Sequence, residues 1–124
     1  MRINNLWKLC LGVLFCLQLC ACEYSYDYTY IIHNDADTTV MLHMKRRVYP
    51  DTTILVPAQV TDTLFITDHG LEPAHGPYFK SVTTDLSTAT VTKKGLTSQR
   101  NYLQDSVWNY TKGCYTATVQ NQEF

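Results

Sequence analysis

The chain has 124 residues, 45% of them hydrophobic and 17% charged, a balance that fits one globular domain and excludes a disordered tail. Two of its ten Lys and Arg residues, Arg2 and Lys8, precede residue 22; from there on eight basic side chains face eleven acidic ones, a net charge of −3. A nucleic-acid binder would carry a basic surplus, so that class is excluded.

The first 22 residues read as a targeting segment. Arg2 and Lys8 make a positive start, and Leu9 to Leu19 is apolar. That run falls short of the roughly 20 apolar residues a membrane-spanning helix needs. The pattern predicts a signal-peptide helix over residues 1–21. Leu19-Cys20-Ala21-Cys22 looks like a lipobox: an aliphatic residue, a variable one, a small one, then cysteine. Cleavage is expected between Ala21 and Cys22, with the Cys22 thiolate taking a diacylglyceryl group as a thioether. Cys10, Cys16 and Cys20 fit less well, because Leu9, Phe15 and Leu19 are too bulky for the position before the cut. Each buried methylene of an acyl chain such as palmitate contributes ~0.8 kcal/mol, so two or more chains hold a protein stably on a bilayer. An ordinary secretory signal that leaves Cys22 as a free thiol is the plainer alternative.

Three of the five cysteines leave with the leader and one is lipidated, so Cys114 alone remains. One thiol forms no internal disulfide, and the fold must stand on its core. Cys114 lies in Lys112-Gly113-Cys114-Tyr115-Thr116 with no base beside it, which reads as a small half-buried strand residue rather than a nucleophile.

Thr and Tyr are frequent after residue 22, which is strand chemistry. Tyr24, Tyr26, Tyr28 and Tyr30 alternate with polar residues and fall on one face of a strand that Ile31 and Ile32 extend. Asn34-Asp35-Ala36-Asp37 reads as a turn into a second strand, Thr39 to Arg47, with Val40, Leu42 and Met44 inward; the two strands form an expected hairpin. Ile54 to Val56 is a short strand that Pro57 ends. Val60 to Thr67 is another, with Leu64 and Ile66 on one face. Asp68 to Pro77, with two glycines and two prolines, is a loop. Tyr78 to Thr84 and Thr88 to Lys93 read as strands, the second closed by Lys94-Gly95. Thr97 to Thr111 is polar and irregular, though Tyr102, Leu103, Val107 and Trp108 can tuck it onto the core. Tyr115, Ala117 and Val119 alternate in a last strand. The fold class is all-β, with short strands every 8–12 residues that point to an antiparallel sandwich or, failing that, a small closed barrel.

Chemistry-bearing residues are few. His69 and His75 share a loop with Asp68 and Glu72, a donor set that suits zinc, but at no metal-motif spacing; a plain loop is the simpler reading, and no metal or other cofactor is expected. His33 and His43 read as exposed strand histidines. The tyrosine stripe reads as core, as a sheet face that binds glycan or peptide, or as a belt near a bilayer surface. Trp108, with Tyr102 nearby, is the ligand-binding candidate, since an aromatic face stacks on a sugar ring; the alternative is a buried lid over the sandwich end. No nucleophile elbow, paired His-Glu metal motif or phosphate-cradling glycine loop is present, so no catalytic residue is assigned and an enzyme is not expected. The sequon Asn109-Tyr110-Thr111 is discounted for a bacterial lipoprotein. Asp37-Thr38-Thr39, Asp51-Thr52-Thr53, Asp62-Thr63-Leu64 and Asp105-Ser106-Val107 each set a hydroxyl directly after Asp.

Three stretches carry a resemblance: Cys22-Glu23-Tyr24-Ser25-Tyr26-Asp27 after the lipobox; Tyr28 to Asn34 leading into Thr39-Val40-Met41-Leu42; and Arg100-Asn101-Tyr102 with Trp108, then Tyr115 to Val119 and Gln122-Glu123-Phe124. In these the chain resembles the small lipoproteins that Bacteroides-type bacteria encode in large numbers, with a signal peptide, a lipobox and a β-sandwich. The resemblance implies a surface-export signal in the acidic residues after the lipidated cysteine, which Glu23 and Asp27 match in part. It also implies O-glycosylation at Thr38, Thr52, Thr63 and Ser106. The closing strand departs from the pattern, with Val119 in place of Ile.

The resulting expectation is a signal peptide over 1–21, a lipidated N-terminus and tether over 22–27, and an Ig-like antiparallel sandwich of about six or seven strands over 28–124. The protein would sit lipid-anchored in the outer membrane and act as a non-enzymatic binding protein or structural accessory, with an envelope protein or a glycan as partner. A glycan-binding module using exposed aromatics comes next, and a metal-dependent protein built on the 68–77 loop third.

Overall fold

The computed structural model describes Lys8 and residues 23–124, so the signal-peptide helix and the Ala21–Cys22 cleavage and lipidation site lie outside the described residues. Two compact units are present, one of Asp27–Asp68 with Pro77–Phe124, the other of residues up to Tyr26 with His69–Gly76.

The larger unit is a two-sheet all-β sandwich. Its strands are β1 (Tyr28–Asn34), β2 (Val40–Arg46), β3 (Asp51–Val56), β4 (Thr61–Thr67), β5 (Leu86–Lys93), β6 (Leu96–Thr97), β7 (Asn109–Thr111) and β8 (Cys114–Val119). One sheet runs β4-β1-β8-β7 and the other β3-β2-β5-β6. The eight strands exceed the expected six or seven because β6 and β7 are stubs of two and three residues. All neighbouring pairs are antiparallel except β1 and β8, the first and last strands, which run parallel.

Period-two burial makes the core. Tyr28, Tyr30, Ile32 and Asn34 point inward from β1; Val40, Leu42 and Met44 from β2; Tyr115, Ala117 and Val119 from β8. Register then aligns four aromatic rings in one row across the first sheet: Phe65 opposite Tyr30, Tyr30 opposite Tyr115, Tyr115 opposite Tyr110. Tyr30 stacks on Phe65 at 4.4 Å and on Tyr115 at 4.5 Å between ring centroids, and Tyr110 tilts onto Tyr115 at 4.9 Å. Aromatic pairs of this kind contribute about 0.5–1.5 kcal/mol each beyond the area they bury.

The structure departs from the sequence reading at three places. In β4, Phe65 is buried and Ile66 exposed, the reverse of the Leu64/Ile66 face expected. The β1–β4 register passes from Tyr30↔Phe65 to Ile31↔Thr63, so Leu64 is the extra residue of a bulge that seats Phe65 on Tyr30. Tyr78 to Thr84 forms no strand; it is extended as far as a 3-10 turn at Val82–Thr84. Tyrosine hydroxyls take the place of a ladder partner. Tyr115 Oη donates to the Lys80 carbonyl (2.7 Å) and accepts from the Lys80 amide (3.0 Å). Tyr28 Oη accepts from the Tyr78 amide, and Tyr110 Oη donates to the Pro77 carbonyl. With those backbone groups satisfied, the segment needs no sheet. The expected β1–β2 hairpin is also absent, because the two strands lie in different sheets. Buried Asn34 redirects the chain: its side chain accepts from the Ala36 amide and donates to the Thr38 and Val56 carbonyls, fixing a crossover instead of a tight hairpin turn.

The tight turns come from Lys-Gly pairs. Lys94-Gly95 joins β5 to β6 and Lys112-Gly113 joins β7 to β8, all four residues at positive φ, the signature of a type I′ turn. Gly113 is held doubly, since a Cβ there would lie 2.9 Å from both the Asp27 carbonyl oxygen and Pro77 Cγ.

In the smaller unit, Tyr24 and Glu72 exchange backbone hydrogen bonds at 2.8 and 2.7 Å. Tyr26 Oη donates to the Pro73 carbonyl and accepts from the Gly76 amide, and its ring fills the space beside Gly76 where a Cβ would stand. The stretch read as a tether is thus bound to the 69–76 loop at two tyrosines.

Candidate ligand-binding cleft

Glu123 stands at the centre of a polar network where the C-terminal turn meets the 98–108 segment. Gln120 and Glu123 form a capping box around a 3-10 turn at Asn121–Glu123, so the Gln120 amide donates to Glu123 Oε2 at 3.1 Å. Ser98 Oγ donates to Oε1 at 2.8 Å, the Tyr102 hydroxyl donates to the same oxygen, and Arg100 Nη1 donates to Oε2 at 3.2 Å. A carboxylate on a side chain only 3% exposed needs such partners, because an unpaired buried charge is costly. Burial first, and then the Glu123 carboxylate, push the Tyr102 phenol up, which keeps it a donor.

This network aims Arg100. Its Nη1 also donates to the Thr118 carbonyl at 2.6 Å, and the guanidinium lies 5.6 Å from the centre of the Tyr102 ring. The side chain keeps 34% of its surface exposed, so one edge of the guanidinium faces solvent.

That edge forms one wall of a cleft of about 350 Å³. Asn109 of β7 and Thr116 and Thr118 of β8 line it from the outer face of the first sheet, Asn109 directly opposite Thr116. Ser106 and Trp108 close the other side. The side chains of Ser106, Asn109 and Thr118, and the Nε and Nη2 donors of Arg100, have no hydrogen-bond partner among the described residues, so they are turned to the cleft or to water. Arg100 and Glu123 cancel in charge, leaving the cleft polar but neutral.

The two ligand-binding candidates from sequence, Trp108 and Tyr102, are brought together here, but not as a stacking surface. Tyr102 is fully buried and Trp108 is 6% exposed. The indole Nε1 donates to the Tyr102 carbonyl at 2.9 Å, and its ring meets Tyr30 and Tyr102 edge-on at 5.5 and 6.4 Å. Their faces are taken by the core, so a sugar ring has no plane to stack on at either residue. Trp108 contributes only an edge at the cleft. No sequence signal marked the cleft's other residues as ligand-binding: Thr116 and Thr118 gain meaning only once β7 and Arg100 lie beside them.

Exposed aromatics stand elsewhere. Phe79 is 55% exposed on the extended segment the tyrosines hold, with Tyr110 edge-on to it at 5.3 Å. Arg46 has its guanidinium 3.8 Å from the Tyr49 ring centre and 4.2 Å from that of Phe65, capping the far end of the aromatic row. Arg47 donates from Nε to the Thr83 carbonyl at 2.6 Å.

The remaining candidates are dispersed. No group of three or more His, Cys, Asp or Glu residues fit to hold a metal occurs among the described residues, His69, His75, Asp68 and Glu72 included. His33 lies on β1 and His43 on β2, in separate sheets, each with Nδ1 against a threonine hydroxyl of an edge strand, Thr61 at 2.7 Å and Thr53 at 2.9 Å. Thr52, Thr63 and Ser106 are exposed and Thr38 half-buried. Cys114 is a half-buried free thiol on β8. Comparison with protein-family models, with curated proteins and with solved structures finds no match to this chain.

Proposed function

We propose that this chain is a lipid-anchored protein of the outer membrane, processed between Ala21 and Cys22 and held at Cys22, that acts by binding rather than by catalysis. The observation that carries the binding half is the neutral cleft beside Arg100, whose guanidinium is fixed by Glu123 and the Thr118 carbonyl while several polar groups around it remain uncommitted. Binding sites place a few oriented polar groups in a concave surface, and about 350 Å³ lies at the small end of their usual range. The membrane is reached through the lipid, and the partner is a glycan or an envelope protein. The sandwich we read as Ig-like, supported by two four-stranded sheets between which the chain passes repeatedly.

A second reading, a structural accessory to an envelope complex, is favoured by the long open edges β3 and β4. These bear Leu55 and Ile66, 65% and 58% exposed, where a partner strand could add.

Protease shaving of intact cells, with mass spectrometry, tests the anchor and the facing together. Wild type shaved from the surface, with Cys22→Ala released as soluble protein, supports an outward binding protein. Wild type that resists shaving yet stays with membranes supports the accessory reading. An unchanged location for Cys22→Ala refutes the anchor.

A further inference from the structure

We infer that the cleft walled by Arg100, Asn109, Thr116 and Thr118 is a binding site for an uncharged saccharide. This deepens the binding reading above and rests on it.

Charge argues for the ligand class first. Arg100 is the cation of the cleft, and Glu123 sits 3.2 Å from its Nη1, so an incoming carboxylate or phosphate would compete with a carboxylate already in place. A cation meets the guanidinium at the wall. A neutral ligand carries neither cost. The hydrogen-bonding inventory argues next. Arg100 offers a planar fork of donors on Nε and Nη2, Asn109 offers an amide with both donor and acceptor, and Ser106, Thr116 and Thr118 offer hydroxyls that serve as either. Adjacent hydroxyls of a sugar ring, each donor and acceptor at once, match a planar fork and an amide two bonds at a time. Spacing agrees: residues opposite each other across strands, as Asn109 and Thr116 are, stand on the order of 5 Å apart, and Thr116 to Thr118 spans roughly 7 Å along the strand, the reach of hydroxyls across one pyranose ring. The site is also rigid, being built on two paired strands and a guanidinium fixed at two acceptors, so little ordering is lost on binding.

The test uses the full-length chain in detergent, titrated with maltohexaose, cellohexaose, mannohexaose and, as the acidic arm, polygalacturonate. The indole N–H signal of Trp108 and the side-chain amide signals of Asn109 are followed by NMR. At least one neutral oligosaccharide is expected to shift both, and Asn109→Ala and Thr118→Ala to weaken that binding about tenfold each, the size expected when one or two hydrogen bonds to a ligand are lost. Both replaced side chains face solvent and bond nothing within the fold, so the variants keep the wild-type β circular dichroism. Phe79→Ala keeps wild-type affinity, which separates the cleft from the exposed aromatic at Phe79. The proposal is overturned if no neutral oligosaccharide moves either signal, if polygalacturonate alone binds, or if Asn109→Ala and Thr118→Ala bind as wild type does. Membrane fractionation of the same strains reads the anchored-protein proposal separately: a wild type that stays with membranes while binding no saccharide ends this inference and leaves the anchor standing.

Discussion

Two buried phenols each donate to a carboxylate, at different places in the sandwich, and the fates of the two carboxylates differ. Tyr30 donates to Asp85 Oδ2 at 2.6 Å, and Tyr102 donates to Glu123. Burial raises both phenols and the carboxylate partner raises them further, so both remain protonated donors. Asp85 closes the segment that crosses from β4 to β5 and lines a smaller pocket of about 220 Å³ with Arg46, Arg47 and Tyr49. Glu123 goes on to bind Arg100, and through it the Tyr102 pair reaches a solvent-facing cleft.

The sharpest way to break the comparison is to remove Tyr30. Its ring contacts Phe65, Tyr115 and Trp108, so Tyr30→Ala loses the centre of the aromatic row and is expected to cost about 4 kcal/mol, a large share of the roughly 5–15 kcal/mol that holds a typical domain. Tyr30→Phe keeps the ring and removes only the hydrogen bond to Asp85, for about 1–2 kcal/mol. Urea titration followed by circular dichroism separates them; a Tyr30→Phe as damaging as Tyr30→Ala would put the hydrogen bond, not the stacking, at the centre of the fold.

Glu123→Ala removes the acceptor of four donors while leaving Arg100 partly exposed, so the expected loss is about 3 kcal/mol, toward the low end for breaking a buried pair. The variant should also release Arg100 and with it the cleft. A Glu123→Ala protein of wild-type stability would show the network to be ornamental.

Little of this contrast was legible beforehand. The alternation of Tyr28, Tyr30 and Ile32, of Val40, Leu42 and Met44, and of Tyr115, Ala117 and Val119 gave correct inward faces, because period-two patterning is local. Pairing is not local. Nothing in the sequence near Tyr30 says that Tyr115, eighty-five positions on, lies beside it in parallel, or that Phe65 needs a bulge to reach it. The strand expected over Tyr78 to Thr84 failed for a related reason: its hydrogen-bond partners include tyrosine hydroxyls from β1 and β8 and the Asp105 carboxylate, all invisible to propensity. Tyr102 and Trp108 tuck onto the core as expected, but the cleft needed Asn109, Thr116 and Arg100, three residues that only topology unites.

Alkali sharpens the comparison further. A phenol raised by the fold contributes stability that is fully present below its unfolded value, about pH 10, and is lost as pH climbs through the folded value. Burial pushes Tyr115 up to about 12, and Tyr30 and Tyr102 are raised as well. The protein should therefore weaken steadily from about pH 10 upward, and these three of its nine tyrosines should show phenolate absorbance only as the fold is lost. Smooth ionisation of these three without a change in circular dichroism would contradict their burial.

The smallest expected effect closes on the same C-terminal turn. Lys93 Nζ lies 3.5 Å from Asp37 and donates to Asn121 Oδ1 at 2.7 Å, so a second ion pair stands two residues from Glu123. Asp37 has 68% of its side chain exposed against 3% for Glu123. Exposed pairs gain little Coulomb energy against water and lose side-chain freedom in holding one geometry, so Asp37→Asn should cost less than about 0.5 kcal/mol, and added salt should erase even that. Lys93 keeps its bond to Asn121 in the variant, which isolates the charge. If thermal unfolding showed Asp37→Asn as harmful as Glu123→Ala, proximity to the turn would matter more than burial, and the reason given for assigning Glu123 the central role would fail.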